Sequence, residues 1–154
     1  MKINTKLLHD YPMIDPVTGA SSIPKYQAST FHQQDVFTHT GFSYTRFGNP
    51  TVEAAEKCIA SLEDATFGLA FSSGMAAINA VLFLLSKGDH LVLGKNIYGG
   101  TFHSIHLFLS RFGIDCTFVD ETDNGSWEKA IKKETKMFYI ETPSNPLLTI
   151  TDIK

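Results

Sequence analysis

The stretch Phe67-Gly68-Leu69-Ala70-Phe71-Ser72-Ser73-Gly74-Met75-Ala76-Ala77-Ile78 does most to limit what this chain can fold into. Residues 67–71 are a short apolar run that suits a buried strand. Ser72-Ser73-Gly74 is a turn, and a helix apolar nearly all round is expected from Met75 to about residue 86. Strand, glycine turn and helix N-terminus in succession make an anion site. The first-turn N–H groups lack helical partners, and the positive end of the helix dipole lies there. A phosphate is the natural guest. The same residues also suit an ordinary strand-to-helix turn in which Ser73 does no more than cap the helix.

A chain of 154 residues can bury the core of one domain. With 43% hydrophobic and 19% charged residues it reads as soluble and globular. Its formal net charge of -3 offers no attraction to nucleic acid. No segment is long and apolar enough to span a bilayer, and the opening Met-Lys-Ile-Asn-Thr-Lys lacks the centre of a signal peptide. Cys58 and Cys116 imply no disulfide framework, which fits a reducing cytoplasm. The sequon at Asn124 is then read as coincidence.

Residues 1–40 are expected to be irregular, punctuated by Pro12, Pro16, Gly19 and Pro24. Residues 41–48 form a glycine-bounded loop. Asn49 and Pro50 then start a helix, as cap and first residue, with Val52, Ala55, Ile59 and Leu62 on its apolar face and a Glu53–Lys57 pair on its wet side. After the central stretch, Gly88 takes the left-handed capping position. Strands are expected at 90–93, 116–119 and 137–140, and helices at 101–112 and 126–133. Phe102, Ile105, Leu109 and Phe112 are expected on the buried side of the first of those helices, and Gly113 closes it. Glu141-Thr142-Pro143-Ser144-Asn145-Pro146 is a turn stiffened by two prolines, followed by a short extended piece and a helix start at Thr151. Alternating strands and helices argue for an α/β fold, a mainly parallel sheet with helices on both faces. Ligands in such folds bind at the carboxyl ends of the strands, and the loops of unusual composition all lie on that rim. A chain stopping one turn into a helix is expected to be the front part of a longer protein.

Five motifs occur in order: Tyr44-Thr45-Arg46-Phe47-Gly48-Asn49-Pro50-Thr51, Ser72 to Ile78, Gly88-Asp89-His90, Tyr98-Gly99-Gly100-Thr101, and Glu141 to Pro146. In this they closely resemble the pyridoxal 5'-phosphate (PLP) enzymes of cysteine and methionine metabolism: cystathionine γ-synthase, the cystathionine β- and γ-lyases, methionine γ-lyase and O-acylhomoserine sulfhydrylase. The resemblance runs from about residue 5 to the end. It implies the N-terminal part of a fold-type-I PLP-dependent transferase large domain, with residues 1–48 as an extended arm and loop and 49–154 as an incomplete PLP-binding α/β domain.

The resemblance also implies roles. The N–H groups of Gly74 and Met75 hold the cofactor phosphate. Tyr98 stacks on the pyridine ring and is a candidate catalytic proton shuttle. Asn145 hydrogen-bonds the ring's phenolic oxygen. Tyr44 and Arg46 reach the phosphate of a neighbouring subunit, a task suited to a planar guanidinium. Taken singly, Arg46 could be a solvated charge, Tyr98 a cover for a core edge, Asn145 a turn residue and Met75 a core side chain. The order of the set favours function. His103 and His106 share a helix face but no acidic or thiol partner clusters with them, so no metal ligands are assigned.

What the resemblance implies for the whole enzyme is elimination or replacement at Cβ or Cγ of a sulfur amino acid or O-acylhomoserine, in a cytoplasmic homo-oligomer built as a dimer of dimers. The lysine that forms the Schiff base, the carboxylate at the pyridine nitrogen and the arginine for the substrate carboxylate are expected beyond this chain. Lys154 does not match the lysine motif. Turnover by the chain alone is therefore expected to be slight. Methionine γ-lyases commonly carry Cys where Gly100 stands, which favours the cystathionine γ-synthase and lyase group. The alternatives are a noncatalytic truncated product or oligomerisation fragment, and a nucleotide-binding α/β protein. Against the last, the chain has neither Gly-x-Gly-x-x-Gly nor Gly-x-x-x-x-Gly-Lys-Ser/Thr.

Overall fold

The computed structural model describes residues 2–10, 14–38 and 41–153. The readings placed on Pro12 and Lys154 lie outside the described residues. The chain divides into two compact units, Met1–Ala70 and Phe71–Lys154.

In the first unit the expected irregular start is interrupted by a helix, α1 (Ile3–His9). Seven residues cannot sustain a helix in water. Tertiary bonds hold this one: Lys6 Nζ donates to the Ser61 carbonyl at 3.3 Å and pairs with Asp64, and Ser61 Oγ donates to Asp10 Oδ2 at 2.6 Å. The glycine-bounded loop lies along residues 29–33, joined by an antiparallel bridge between Thr30 and Tyr44 and by contact of the Phe31 and Phe42 rings at 5.6 Å.

Helix α2 (Pro50–Leu62) begins as its sequence predicts. Asn49 is buried, accepts the Thr51 N–H at 2.8 Å, and donates to the Tyr26 carbonyl and to Thr45 Oγ1. Glu53 and Lys57 pair on its surface. The apolar stripe is otherwise placed than expected: Val52, Ala55 and Ile59 are exposed, Leu62 is half-buried, and Ala60 is the buried residue of the helix. Among the described residues of this unit, α1 is the helix that packs on α2, with a bond at Ser61.

The expected strand at 67–71 is not formed. A strand exists by its ladder, and none of the described residues pairs with this run. Residues 68–70 lie against α2 instead. The Ala70 N–H reaches Glu56 Oε1 at 2.8 Å, and a Cβ at Gly68 would stand 2.5 Å from the Glu56 carbonyl oxygen. Glycine is the residue that permits this approach.

The second unit is built on a three-stranded parallel sheet in the order β2 (Asp115–Val119), β1 (His90–Gly94), β3 (Thr135–Tyr139). Leu91 faces Cys116 on one side and Met137 on the other, with an irregularity in the second ladder between His90 and Leu91. Helix α3 (Gly74–Leu82) precedes β1, α4 (Gly99–Leu107) joins β1 to β2, and α5 (Asn124–Lys129) joins β2 to β3. Leu91 and Leu93 pack with Leu82, Leu85, Ile105 and Leu109 on one face. On the other, the Trp127 ring of α5 meets Phe138 at 6.0 Å. His90 is buried on this second side, its ring nitrogens 2.9 Å from Thr117 Oγ1 and 2.8 Å from Thr135 Oγ1, so one imidazole ties three strands together.

Several expected boundaries move. Helix α3 stops at Leu82, four residues early. Tight turns bond Leu84 to Val81 and Leu85 to Leu82, and the Asp89 carboxylate takes the Ser86 N–H at 2.7 Å, turning the chain toward β1. Gly88 is left-handed as predicted, with φ of 92°. The helix expected over 101–112 is α4 followed by a 3₁₀ turn at Leu109–Phe112, closed by left-handed Gly113. Ile105 and Leu109 are buried on it, but Phe102 and Phe112 are exposed. Phe102 rests on the rings of His106 and Phe118. No helix starts at Thr151; that residue is buried and its N–H bonds Thr142 Oγ1 at 3.0 Å.

Candidate cofactor site

Ser73 caps α3 as its sequence predicts, Oγ accepting the Ala76 N–H at 3.2 Å. The Ser73 carbonyl takes the Ala77 N–H, which leaves the N–H groups of Gly74 and Met75 without an acceptor among the described residues. Residues 72–74 are exposed, and a Cβ at Gly74 would meet nothing within 4 Å. The helix start is therefore open, with free donors and no side chain in the way, which is what a phosphate requires.

The Met75 side chain reaches the first turn of α4. A Cβ at Gly100 would fall 2.6 Å from Met75 Sδ and would run into the Tyr98 ring. Met75 and Tyr98 thus close on one spot that only glycine leaves free. Tyr98 begins α4 with no side-chain cap, and it is 43% exposed, so its ring is available to a flat partner.

The loop carrying Tyr98 is pinned on the β2 side. Lys95 pairs with Asp120 at 2.6 Å, and that bond together with the Thr122 hydroxyl holds the Asp120 carboxyl down at about 2. Asn96 Nδ2 donates to Oε1 of the buried Glu121 at 2.6 Å.

On the β3 side the turn 141–151 is closed on itself. Buried Ser144 donates its N–H to the Thr149 carbonyl at 3.0 Å, and Ser144 Oγ accepts the Thr149 N–H at 3.1 Å. Both prolyl bonds in the turn, at Pro143 and Pro146, are cis. Glu141 joins this turn to the Tyr98 loop. Its Oε2 accepts the Tyr98 N–H at 2.9 Å and its Oε1 accepts the Asn145 N–H at 2.8 Å.

The second unit therefore holds Gly74, Met75, Tyr98 and Asn145, with Met75 against Tyr98 and Tyr98 linked to Asn145 through one carboxylate. Tyr44 and Arg46 stand in the first unit. The Arg46 guanidinium lies 4.8 Å from the centre of the Tyr44 ring and 5.7 Å from that of Phe47, a cation–π stack that keeps the charge at the surface. Glu141 and Ser144 carry no role in the sequence reading, although both lie within a motif quoted there. An acid at a strand's carboxyl end, in a turn otherwise of Thr, Pro, Ser and Asn, was the available signal. His106 stacks on Phe118 at 5.5 Å, and no group of His, Cys, Asp and Glu fit for a metal occurs among the described residues. Among those residues, no helix is long and apolar enough to cross a membrane.

Comparison with known proteins bears directly on this geometry. The family model described as Cys/Met metabolism PLP-dependent enzyme matches residues 4–154. Cystathionine beta-lyase MetC of Bacillus subtilis is 50% identical over 152 residues, covering 99% of this chain and 39% of that protein. A cystathionine gamma-lyase of the same organism is 49% identical, covering 99% of this chain and 40% of that protein. A crystal structure of cystathionine gamma-lyase from Lactobacillus plantarum complexed with L-serine superposes with a TM-score of 0.91 at 48% identity, covering 98% of this chain and 39% of the other. The chain thus spans about two fifths of the length of the relatives it matches. Matched by that model over nearly its whole length and sharing about half its residues with these relatives, the chain belongs to the PLP-dependent enzymes of cysteine and methionine metabolism.

Proposed function

We propose that this chain carries the phosphate-holding and ring-facing part of an enzyme that eliminates or replaces a group at Cβ or Cγ of a sulfur amino acid or O-acylhomoserine. The observation that carries the reading is the open start of α3 at Gly74, next to the half-exposed Tyr98 through Met75. The free N–H groups of Gly74 and Met75 take phosphate oxygens at the positive end of the helix dipole. The Tyr98 ring covers one face of the pyridine, and its phenol serves as a catalytic proton carrier at the substrate amine. The Asn145 side chain bonds the phenolic oxygen of the ring. Bound PLP supplies an electron-withdrawing ring that lets the α-proton of the amino acid leave.

Tyr44 and Arg46 complete the phosphate site of a neighbouring copy in a cytoplasmic homo-oligomer, a dimer of dimers. Residues 1–48 act as the arm of that assembly and 49–154 as its cofactor-binding part. The cystathionine lyase and γ-synthase type is favoured by the names of the relatives and by Gly100. A side chain there would have to displace Met75, so Cys does not fit without repacking. By itself the chain is expected to turn over little, because no residue in it matches the family's cofactor lysine. A second reading, as an association fragment, draws support from the exposure of Phe67, Leu69, Phe83 and Leu84.

Titration of the purified chain with pyridoxamine 5'-phosphate tests the proposal, since that compound has no aldehyde to condense with surface lysines. Saturable binding, competed by inorganic phosphate and weakened in Tyr98→Ala, is the expected result. Absence of binding, or equal binding by the variant, overturns the cofactor reading. Release of thiol or α-keto acid from cystathionine and PLP at rates like those of full-length relatives overturns the expectation of inactivity.

A further inference from the structure

The contact that most needs explaining is the one made by Glu141. Helix α4 starts at Tyr98 without a side-chain cap, and its second and third residues, Gly100 and Thr101, offer no acid. In the usual capping box, a Glu three residues into the helix reaches back to the N–H of the cap residue. Here that third residue is Thr101, and the N–H of Tyr98 bonds instead to a carboxylate 43 positions away in sequence. A carboxylate beside a helix N-terminus also gains from the helix dipole. The other oxygen of the same group takes the N–H of Asn145. Both partners are main-chain groups, so the bonds fix where the backbones of Tyr98 and Asn145 stand relative to each other, whatever their side chains do.

We infer that Glu141 is a positioning residue for PLP binding: one carboxylate sets the spacing between the residue that covers the ring face and the residue that bonds the ring oxygen. The inference rests on the cofactor reading given above. A single carboxylate suits the task because its two oxygens are a fixed distance apart. Two separate acceptors would leave the two segments free to drift. Glu141→Gln is nearly isosteric and removes one of the two acceptors. The amide NH₂ then faces an N–H, donor against donor, so one segment is released while the other stays bonded. Glu141→Asp is one methylene shorter and reaches one segment at a time. Neither change replaces a residue proposed to hold the cofactor.

Two measurements on the purified chain test this. In the first, amide exchange at Tyr98 and Asn145 is followed with no cofactor present. Wild type is expected to protect both amides, and Glu141→Gln and Glu141→Asp to lose at least about tenfold of that protection at one or both sites, with far-ultraviolet circular dichroism unchanged. Unchanged protection at both amides overturns the bracket. In the second, pyridoxamine 5'-phosphate affinity is expected to fall about tenfold or more in both variants, with a weakened circular dichroism band from the bound ring, while the affinity for inorganic phosphate alone stays as in wild type. Equal affinity and an equal band in the variants overturn the positioning role. Equal loss of phosphate affinity overturns it too, since that marks a general collapse of the site. A wild-type chain that takes up no pyridoxamine 5'-phosphate sinks the cofactor reading and the positioning role with it. Amide exchange, which needs no cofactor, tells that failure from failure of the bracket.

Discussion

Two runs of this chain read alike and end differently. Residues 67–71 and 90–94 are both five-residue stretches made mostly of apolar residues with one glycine, each followed by a turn and a helix. The second became β1, paired on both edges, with Leu91, Val92 and Leu93 fully buried. The first forms no ladder among the described residues, and Phe67 and Leu69 are 84% and 77% exposed. Apolar content does not separate them. Neighbours do: β1 has β2 and β3 to take its N–H and C=O groups, and α3 and α4 to cover a face. The run at 67–71 has an acceptor for Ala70 and a close approach of Gly68 to α2. Apolar content makes a run eligible to be a strand, and the partners it meets decide whether it is one.

The sharpest way to break this comparison is to truncate each run. Leu91→Ala is expected to lower stability by about 2–5 kcal/mol, since it opens a cavity among fully buried side chains. Urea unfolding followed by the fluorescence of Trp127, the one tryptophan of the chain, checks it. A loss below about 1 kcal/mol would show that β1 is not the centre of this unit. A smaller effect concerns His90, which opens β1 and has no counterpart in the other run. Burial, aided by the nearby Lys132 charge, lowers its pKa from the ordinary 6.5. In the range between the lowered value and 6.5 the unfolded chain binds more protons than the folded one. The stability tied to a neutral His90 is therefore complete above about pH 6.5 and is lost as the pH falls through that range. Asp115, Glu134 and Lys132 are the charged groups that act on this imidazole. The urea midpoint is expected to drop more steeply between about pH 7 and about pH 5.5 in wild type than in His90→Asn. Parallel profiles would remove His90 as the cause. The smallest effect is expected at Leu69→Ser, within about 0.5 kcal/mol of wild type by circular dichroism, because that side chain is already in water. A loss like that of Leu91→Ala would mean that the two runs are equivalent after all.

Much of the candidate site was legible because its signals are local. Ser73 ahead of Gly74 places a cap and an open helix start within three residues, and Asn49-Pro50 places the cap and first residue of α2. Tyr98 and Asn145 could be singled out, since each lies in a short motif at the end of a strand. Glu141 could not be given its role, because the bonds that define it join backbone groups brought together by the sheet. The stripe of α2 is exposed against expectation for a related reason: spacing identifies a helix face but does not say what covers it.

By itself the sequence determined the alternation of strands and helices, the caps at Asn49 and Ser73, the left-handed Gly88, the stop at Gly113, and the family. These follow from dihedral preferences and hydrogen bonds within a few residues. Tertiary structure alone decided that α1 forms, that 67–71 lies along α2 and pairs with no described strand, and that Tyr98 and Asn145 share one carboxylate. Each of these depends on a group distant in sequence: Asp64 for Lys6, Glu56 for Gly68 and Ala70, and Glu141 for Tyr98 and Asn145. A local pattern sets which conformations cost little, and the groups that the fold brings alongside choose among them.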